Sequence, residues 1–353
     1  MLYDVAVIGR GPAGALASLV LARAGLSVVG IGPSATPGRG DLRAETLSPA
    51  AMSILAQHGL ASAVEGLKFP VVRGFLGDWA ENKQRFRPAF LTPDAPTLAI
   101  ERGTFDHVLQ TSATEAGAVN VPVRARQLQR FADQWKIVLN SQESISARVV
   151  IDASGRGGKF LRQVGGKLLV LDSMVAVTEL SPTCATNENR IVRITPDADG
   201  WLFETVDGVG RHVRNRYTDV DLYKKGVKVR DYARVWAAGS LVMDRAVHGT
   251  AIAIGDAAQT RDPLSSQGIC SALADAHSAV FALMFWLKGD SWAMRGHERQ
   301  RRINEIDYLR IRNRFYRAEN RWSSSEFWRR RQSLDPLRPL ASLWAQQDID
   351  KIT

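Results

Sequence analysis

Gly9-Arg10-Gly11-Pro12-Ala13-Gly14 follows directly on the apolar run Val5-Ala6-Val7-Ile8, and this junction decides the fold. A short β-branched run stopped by glycine predicts a buried parallel strand from Tyr3 to Gly9. Pro12 to Gly25 then carries Ala13, Leu16, Ala17, Val20, Leu21 and Ala24 at helical spacing, and Leu26 to Ile31 reads as a second strand. In such a β-α-β opening the first glycine permits the turn and the second lets a pyrophosphate reach the backbone. The third lets helix and strand pack, and the helix N-terminus favours the negative charge. Gly9, Gly11 and Gly14 stand in those three places, so a dinucleotide site is expected.

A second glycine-bearing segment lies far along the chain. GDAAQTRDPLSSQG, Gly255 to Gly268, follows Ala251-Ile252-Ala253-Ile254 and precedes a helix predicted over Ile269 to Leu287. Asp256, at a strand end, can accept hydrogen bonds from ribityl hydroxyls. Pro263, Leu264, Ser265, Ser266 and Gln267 are expected to line a flavin, with Gly268 and Ile269 opening a helix whose N–H groups face the N1/O2 edge of the ring. Together the two segments point to FAD. One feature is missing: Gly32 stands where a carboxylate usually holds the adenosine ribose, so looser cofactor binding is expected. Arg43, just before a helix over Ser48 to His58, and Arg102, before one over Thr104 to Ala116, are the basic residues able to compensate.

The rest of the chain frames these segments. With 353 residues, 45% hydrophobic and 23% charged, the protein is long enough for two domains and unlike a disordered or fibrous chain. No stretch is read as approaching the ~18 uninterrupted apolar residues of a membrane span. Asp4, so close to Met1, leaves no room for a signal peptide, and a cytoplasmic protein with two reduced thiols, Cys184 and Cys270, is expected. Residues 71–100 read as antiparallel ribbon, and 135–139 with 144–151 as a hairpin feeding a strand that ends at Asp152, another candidate cofactor ligand. The division expected is an FAD-binding domain over 1–70, 100–160 and 246–290, a substrate-facing β-sheet domain over 71–99 and 161–245, and a helical extension over 291–353. In fold class this is α/β, a Rossmann-like domain with a smaller antiparallel sheet.

On GRGPAG, Arg43 and its helix, ERGTFDHVL, VVIDASGR and GDAA…DPLSSQG, the chain resembles single-component flavoprotein hydroxylases of the p-hydroxybenzoate hydroxylase type and their relatives, the geranylgeranyl reductases and flavin-dependent halogenases. The resemblance covers residues 1 to about 290. DPLSSQG, Ala238-Gly239-Ser240 and the tail RFYRAENRWSSSEFWRRR look most like the flavoproteins that mature quinone-cofactor amino-acid oxidases, the glycine oxidase and lysine ε-oxidase maturases. That resemblance implies a monooxygenase working with molecular oxygen through a flavin C4a-hydroperoxide. Its substrate would be a tryptophan side chain of a partner protein, oxygenated during biogenesis of a cysteine tryptophylquinone-type cofactor. The halogenase WxWxIP segment is absent from the chain. Asp152-Ala153-Ser154-Gly155 replaces the Asp-Gly of the hydroxylase motif that helps gate NAD(P)H, which leaves the electron donor open. A small-molecule aromatic hydroxylase, a prenyl reductase and a non-catalytic flavoprotein chaperone are the alternatives.

The net charge of +10 is concentrated: thirteen arginines against six acids lie between Arg295 and Arg338. Arg317, Arg321, Trp322, Phe327, Trp328 and Arg329 could form a docking surface for an acidic partner, since Trp and Arg dominate binding hot spots. The alternative is a helix folded against the FAD domain with its aromatics buried. Nothing else in the chain points to nucleic acid. No metal site and no catalytic side chain are assigned, and His58, His107, His248, His277 and His297 read as scattered.

Overall fold

The computed structural model describes residues 1–38, 44–81, 83–89, 96–184, 190–225 and 234–333, with 335, 338, 340 and 344. The chain opens as β1 (Leu2–Ile8), α1 (Pro12–Arg23) and β2 (Val28–Ile31), matching the predicted β-α-β. It continues with β3 (Glu45–Leu47), α2 (Pro49–Gln57) and α3 (Ala61–Glu65), then β4 (Gly74–Gly77), β5 (Arg85–Pro88) and β6 (Leu98–Ile100). After α4 (Arg102–Glu115) come β7 (Val119–Val121), β8 (Ala125–Phe131), β9 (Gln134–Leu139), β10 (Ser144–Asp152) and α5 (Lys159–Gln163). The middle of the chain forms β11 (Leu168–Val170), β12 (Met174–Cys184), β13 (Ile191–Asp197), β14 (Gly200–Val206), β15 (Arg211–Asp219), α6 (Val220–Lys224) and β16 (Arg234–Ala237). Four short strands follow: β17 (Leu241–Met243), β18 (Val247–His248), β19 (Ala251–Ala253) and β20 (Gln259–Thr260). The chain then ends in α7 (Gly268–Leu287), α8 (Ala293–Ala318) and α9 (Glu326–Ser333).

Helix starts follow local chemistry. Ser48 accepts a hydrogen bond from the Ala51 amide, with Pro49 opening α2. The Glu101 carboxylate takes the amides of Gly103 and Thr104, which is why α4 begins at Arg102 and not two residues later as the apolar periodicity predicts.

The central sheet runs β18-β19-β10-β1-β2-β7, with the β8–β9 hairpin extending from β10. β19, β10, β1, β2 and β7 are mutually parallel, so both faces are covered. One face carries α1, α2, α4 and α7, whose Leu16, Leu55, Phe105 and Leu273 are fully buried or nearly so. The other is closed by the β8–β9 hairpin and α5.

A second sheet of seven strands runs β16-β12-β15-β14-β13-β4-β5. It is antiparallel except where β4 joins β13 in parallel, a crossover that the ribbon-like reading of residues 71–100 does not anticipate. β6 leaves that ribbon to pair with β3, and β11, β17 and β20 make a small third sheet.

The C-terminal end decides between the two readings of the tail. Tyr316, Phe327 and Trp328 of α8 and α9 are fully buried against Val72, Trp201, Phe203 and Val213. The tail aromatics therefore pack on the seven-stranded sheet, while the first turns of α8 lie along α7 of the nucleotide-binding half. Helix α7, with a mean hydropathy of 1.5, is long and apolar enough to cross a membrane, although Asp275 and His277 interrupt its apolar run. Here its Leu273, Ala276, Val280 and Leu283 sit in the core beside α1 and α2.

Candidate functional site: a cleft between the two glycine segments

Gly9 has φ of +108°, and a Cβ there would lie 2.0 Å from the Ala153 carbonyl oxygen, so strand β1 ends in direct backbone contact with the turn after β10. A Cβ on Gly14 would meet the Gly9 carbonyl oxygen at 2.0 Å. These two glycines are packing positions. Gly11 differs: its nearest neighbour is the Arg102 guanidinium, 4.0 Å away, and it faces the cleft.

That cleft, of about 260 Å³, runs from Gly11, Pro12 and Ala13 past Asp256 to Pro263, Ser266, Gly268 and Ile269. Arg102 lines it too, held by Glu45 at 2.6 Å and Asp106 at 3.0 Å. Burial alone would lower its pKa, but Glu45 and Asp106 outweigh burial and hold the guanidinium charged. The opposite wall comes from the seven-stranded sheet: Ala176, Phe203, Tyr217 and Trp236. Gln267, Gly268 and Ala237 are exposed, so the cleft reaches solvent at both of these edges.

Other expected residues lie elsewhere. The Asp152 carboxylate is fully engaged by the amides of Ser154, Phe160 and Leu161 at 2.9–3.0 Å; it fixes the start of α5, lies outside the cleft, and the expectation of a cofactor ligand there is corrected. Gly255, Leu264, Ser265 and Gln267 also stand outside its lining, and Arg43 lies outside the described residues. Gly32 has no carboxylate nearby; the buried Arg10 guanidinium instead points to the Gly32 carbonyl and the Ser34 hydroxyl. Burial pushes the Arg10 pKa down. His58 and His277, read as scattered, are brought together with Nε2 and Nδ1 2.9 Å apart, away from the cleft.

The late segment is not a single turn between strand and helix. It contains a turn of 3₁₀ helix at Gly255–Ala257, the strand β20 and a second such turn at Pro263–Ser265, ending at Ser266 with φ of +48°. Helix α8 holds this path in place through Asp262. The Asp262 carboxylate accepts from Arg312 Nε at 3.0 Å and from the Tyr316 hydroxyl at 2.9 Å, while the Asp262 amide donates to the Tyr308 hydroxyl at 2.5 Å. Arg312 also reaches Asp172 at 2.8 Å, tying the loop to the start of β12. Burial, then Asp262, raises the pKa of both tyrosines, so they remain neutral donors or acceptors. Burial would lower the Arg312 pKa; Asp262 outweighs it. Beneath lies Glu305, whose carboxyl is pushed up to about 7 by burial despite Arg261, Arg301 and Arg312.

The docking expectation is corrected here as well. Phe327 and Trp328 are buried, and Arg321 is occupied with Asp78 and Glu319. Trp322 is half-buried and stacks on Trp328; only Arg317 and Arg329 of the six are exposed.

Residues 2–187 match the family described as the FAD binding domain. The chain belongs to that family. It is an FAD-dependent oxidoreductase, and the cleft fits the cofactor: Gly11 and Gly268 leave open space where side chains would stand, and α1 and α7 begin without a side-chain cap. The chain is 24% identical to the FAD-dependent oxidoreductase LodB of Marinomonas mediterranea, over 95% of this chain and 98% of that one. Its fold matches the myxobacterial chondrochloren halogenase CndH with a TM-score of 0.84, at 19% identity over 98% of this chain and 89% of that one. It also matches the peptidyl tryptophan dihydroxylase QhpG, essential for tryptophylquinone cofactor biogenesis. There the TM-score is 0.73, at 22% identity over 94% and 79% of the two chains.

The sheet-borne wall of Phe203, Tyr217 and Trp236 and the α8 clamp of Tyr308, Arg312 and Tyr316 were not found from the sequence. Alternating apolar residues mark the strands but not which face meets the cleft, and the clamp residues sit within an arginine-rich stretch that reads as a solvated face.

Proposed function

We propose that the protein is an FAD-dependent monooxygenase that oxygenates a tryptophan side chain of a partner protein, during biogenesis of a tryptophan-derived quinone cofactor in an amino-acid oxidase. The observation that carries this reading is the aromatic wall. Phe203, Tyr217 and Trp236 stand across the cleft from Pro263 and Ser266, in a site that opens to solvent at Ala237 and Gly268. An indole presented on a protein segment can enter an open edge and stack on aromatic faces. Similarity to LodB over nearly the whole of both chains supports an FAD-dependent oxidoreductase, and likeness to QhpG, a peptidyl tryptophan dihydroxylase, supports the substrate class. In this reading residues 71–99 and 161–245 form the substrate-facing half.

Reduced FAD would supply the two electrons with which O2 is split, one oxygen atom entering an indole C–H bond and the other leaving as water. The protein's residues have four tasks. Gly11, Pro12 and Ala13 admit the pyrophosphate, and Arg102 offers it a fixed positive charge. The α7 N-terminus and the Pro263–Ser266 turn present backbone N–H groups to a flavin edge that is anionic when reduced. Phe203, Tyr217 and Trp236 orient the ring and exclude water. Asp262, clamped by α8, keeps the turn from drifting.

Co-expression with a quinone-oxidase precursor, followed by mass measurement of the precursor, tests this reading. The expected result is a gain of oxygen on a precursor tryptophan, lost when that tryptophan is changed to phenylalanine. No oxygen gain, together with flavin oxidation stimulated by free small aromatic compounds, would replace the protein substrate with a small one.

A further inference from the structure

A second cavity, of about 240 Å³, lies between α7 and α8 on the far side of the late glycine segment. It shares Asp256, Arg261, Gly268 and Ala272 with the cofactor cleft, and its lining adds the polar side chains of Gln259, Asp275, His297 and Arg301. Four buried side-chain atoms belonging to its walls have no protein partner: Arg261 Nε, Arg301 Nη1, His297 Nε2 and Gln259 Oε1. Arg301 and His297 are 4% and 5% exposed, so water at the surface does not satisfy them. A buried donor left without an acceptor costs about 1–3 kcal/mol, and more when charged. Three such donors, with the Gln259 carbonyl oxygen as an unpartnered acceptor, border this one cavity and mark it as a candidate ligand site.

The chemistry of the ligand follows from the donors. Arg301 gives Nε and Nη2 to Glu298, and Nη2 also to the Met243 carbonyl, which fixes the guanidinium and leaves Nη1 uncommitted. Glu298 is shared with Arg302, so this buried triplet carries one net positive charge. The His297 Nδ1 lies 2.9 Å from the Ser278 hydroxyl; when that hydroxyl donates, the ring proton sits on Nε2 and becomes a third donor. Burial lowers the His297 pKa, so the ring stays neutral and keeps one proton. The acids in the wall are Asp256 and Asp275; Asp275 accepts the Gly255 amide through Oδ2, and its Oδ1 stands 3.9 Å from His297 Nε2. Uncommitted guanidinium and imidazole N–H groups on Arg301, Arg261 and His297 match a planar or tetrahedral oxyanion.

We propose that the α7–α8 cavity is a binding site for a small oxyanion, a carboxylate or phosphate group, held by Arg301, His297 and Arg261. The site borders the cofactor cleft and shares Asp256, Arg261, Gly268 and Ala272 with it, so its occupation would be felt at the flavin. This inference is independent of what the enzyme oxygenates.

The experiment uses the FAD-loaded protein, so that the pyrophosphate-binding end is already filled. Equilibrium dialysis with inorganic phosphate, and separately with acetate, is run at constant ionic strength in chloride, alongside the flavin absorbance spectrum. The expected result is saturable uptake of one equivalent of at least one anion with a change in the flavin spectrum; which anion binds separates a phosphate ligand from a carboxylate one. Arg301→Lys, which keeps the charge beside Glu298 but removes the free fork nitrogen, is expected to weaken binding about tenfold or more. Asn304→Asp, a change at an exposed residue of the cavity rim, adds a like charge and is expected to weaken it by about tenfold with FAD content unchanged. Absence of saturable binding of either anion overturns the proposal. So does unchanged affinity in Asn304→Asp, which decides the matter even where Arg301→Lys fails to fold.

Discussion

The two glycine segments that meet at the cofactor cleft are held by different means. The first is held by itself and its immediate neighbours: Gly14 rests on the Gly9 carbonyl five residues earlier, and Gly9 rests on the backbone after β10. The second is held by side chains that come some fifty residues later, through Tyr308, Arg312 and Tyr316 on Asp262. A backbone contact admits no substitution, because an added methyl group has nowhere to go. A side-chain clamp can be loosened by degrees, and so can be tuned.

The largest effect should come from breaking the first segment. Gly9→Ala places a Cβ 2.0 Å from a carbonyl oxygen at a φ that L-residues avoid, and should cost about 4 kcal/mol or more. Thermal melts and the yield of flavin-containing protein measure it, and near-normal stability would refute the contact. Arg312→Ala strikes the second segment by leaving Asp262 and Asp172 without their buried cation; the expected loss is about 3 kcal/mol. FAD dissociation should quicken in this variant even below its melting temperature.

A smaller and pH-dependent effect sharpens the comparison. The folded-state pKa of Glu305, at about 7, lies above the ordinary value of 4.5, so the folded chain holds this proton more tightly than the unfolded one. Its contribution is therefore fully present below about 4.5 and is lost as pH rises towards 7. Glu305→Gln should match the parent near pH 4.5 and exceed it by about 2 kcal/mol at pH 8, read from denaturant titrations at the two pH values. An equal slope in both proteins would remove Glu305 from the account. The mildest change is Tyr316→Phe, which deletes one hydrogen bond to the Asp262 carboxylate and should cost about 1–2 kcal/mol. Because the hydroxyl acts through Asp262, the flavin reduction potential should move as well; a loss of stability with an unmoved potential would reduce Tyr316 to packing.

This contrast also governs what could be read from the sequence. The first segment was legible because its determinants are local: a β-branched strand, glycines at fixed offsets and helical periodicity all lie within about twenty residues. The late segment was recognisable as a motif, but its supports were not, since Tyr308, Arg312 and Tyr316 look like any residues of an arginine-rich helix. Asp152 misled because an acid at a strand end suits a ligand and a helix start equally well, and only the amides of Phe160 and Leu161 distinguish them. Phe327 and Trp328 left two readings open, an exposed docking surface and a buried helix face, and the structure has the second. Aromatics among arginines resemble an exposed hot spot until a sheet face is found to cover them, and that depends on strand register across β13, β14 and β15.

The placement of β19 and α8 has a consequence for how the protein comes into being. A ribosome delivers the pyrophosphate turn first, yet the central sheet receives β19 only after residue 253, and Asp262 is not secured until residue 316 has emerged. The nascent chain thus carries half of a cofactor site through most of its synthesis, with the Val150–Asp152 end of β10 unpaired on the side that β19 later covers. FAD enclosure then waits for the last third of the chain, and a chain interrupted before Ala251 would be an apoprotein with part of a sheet edge open, marked for aggregation or degradation.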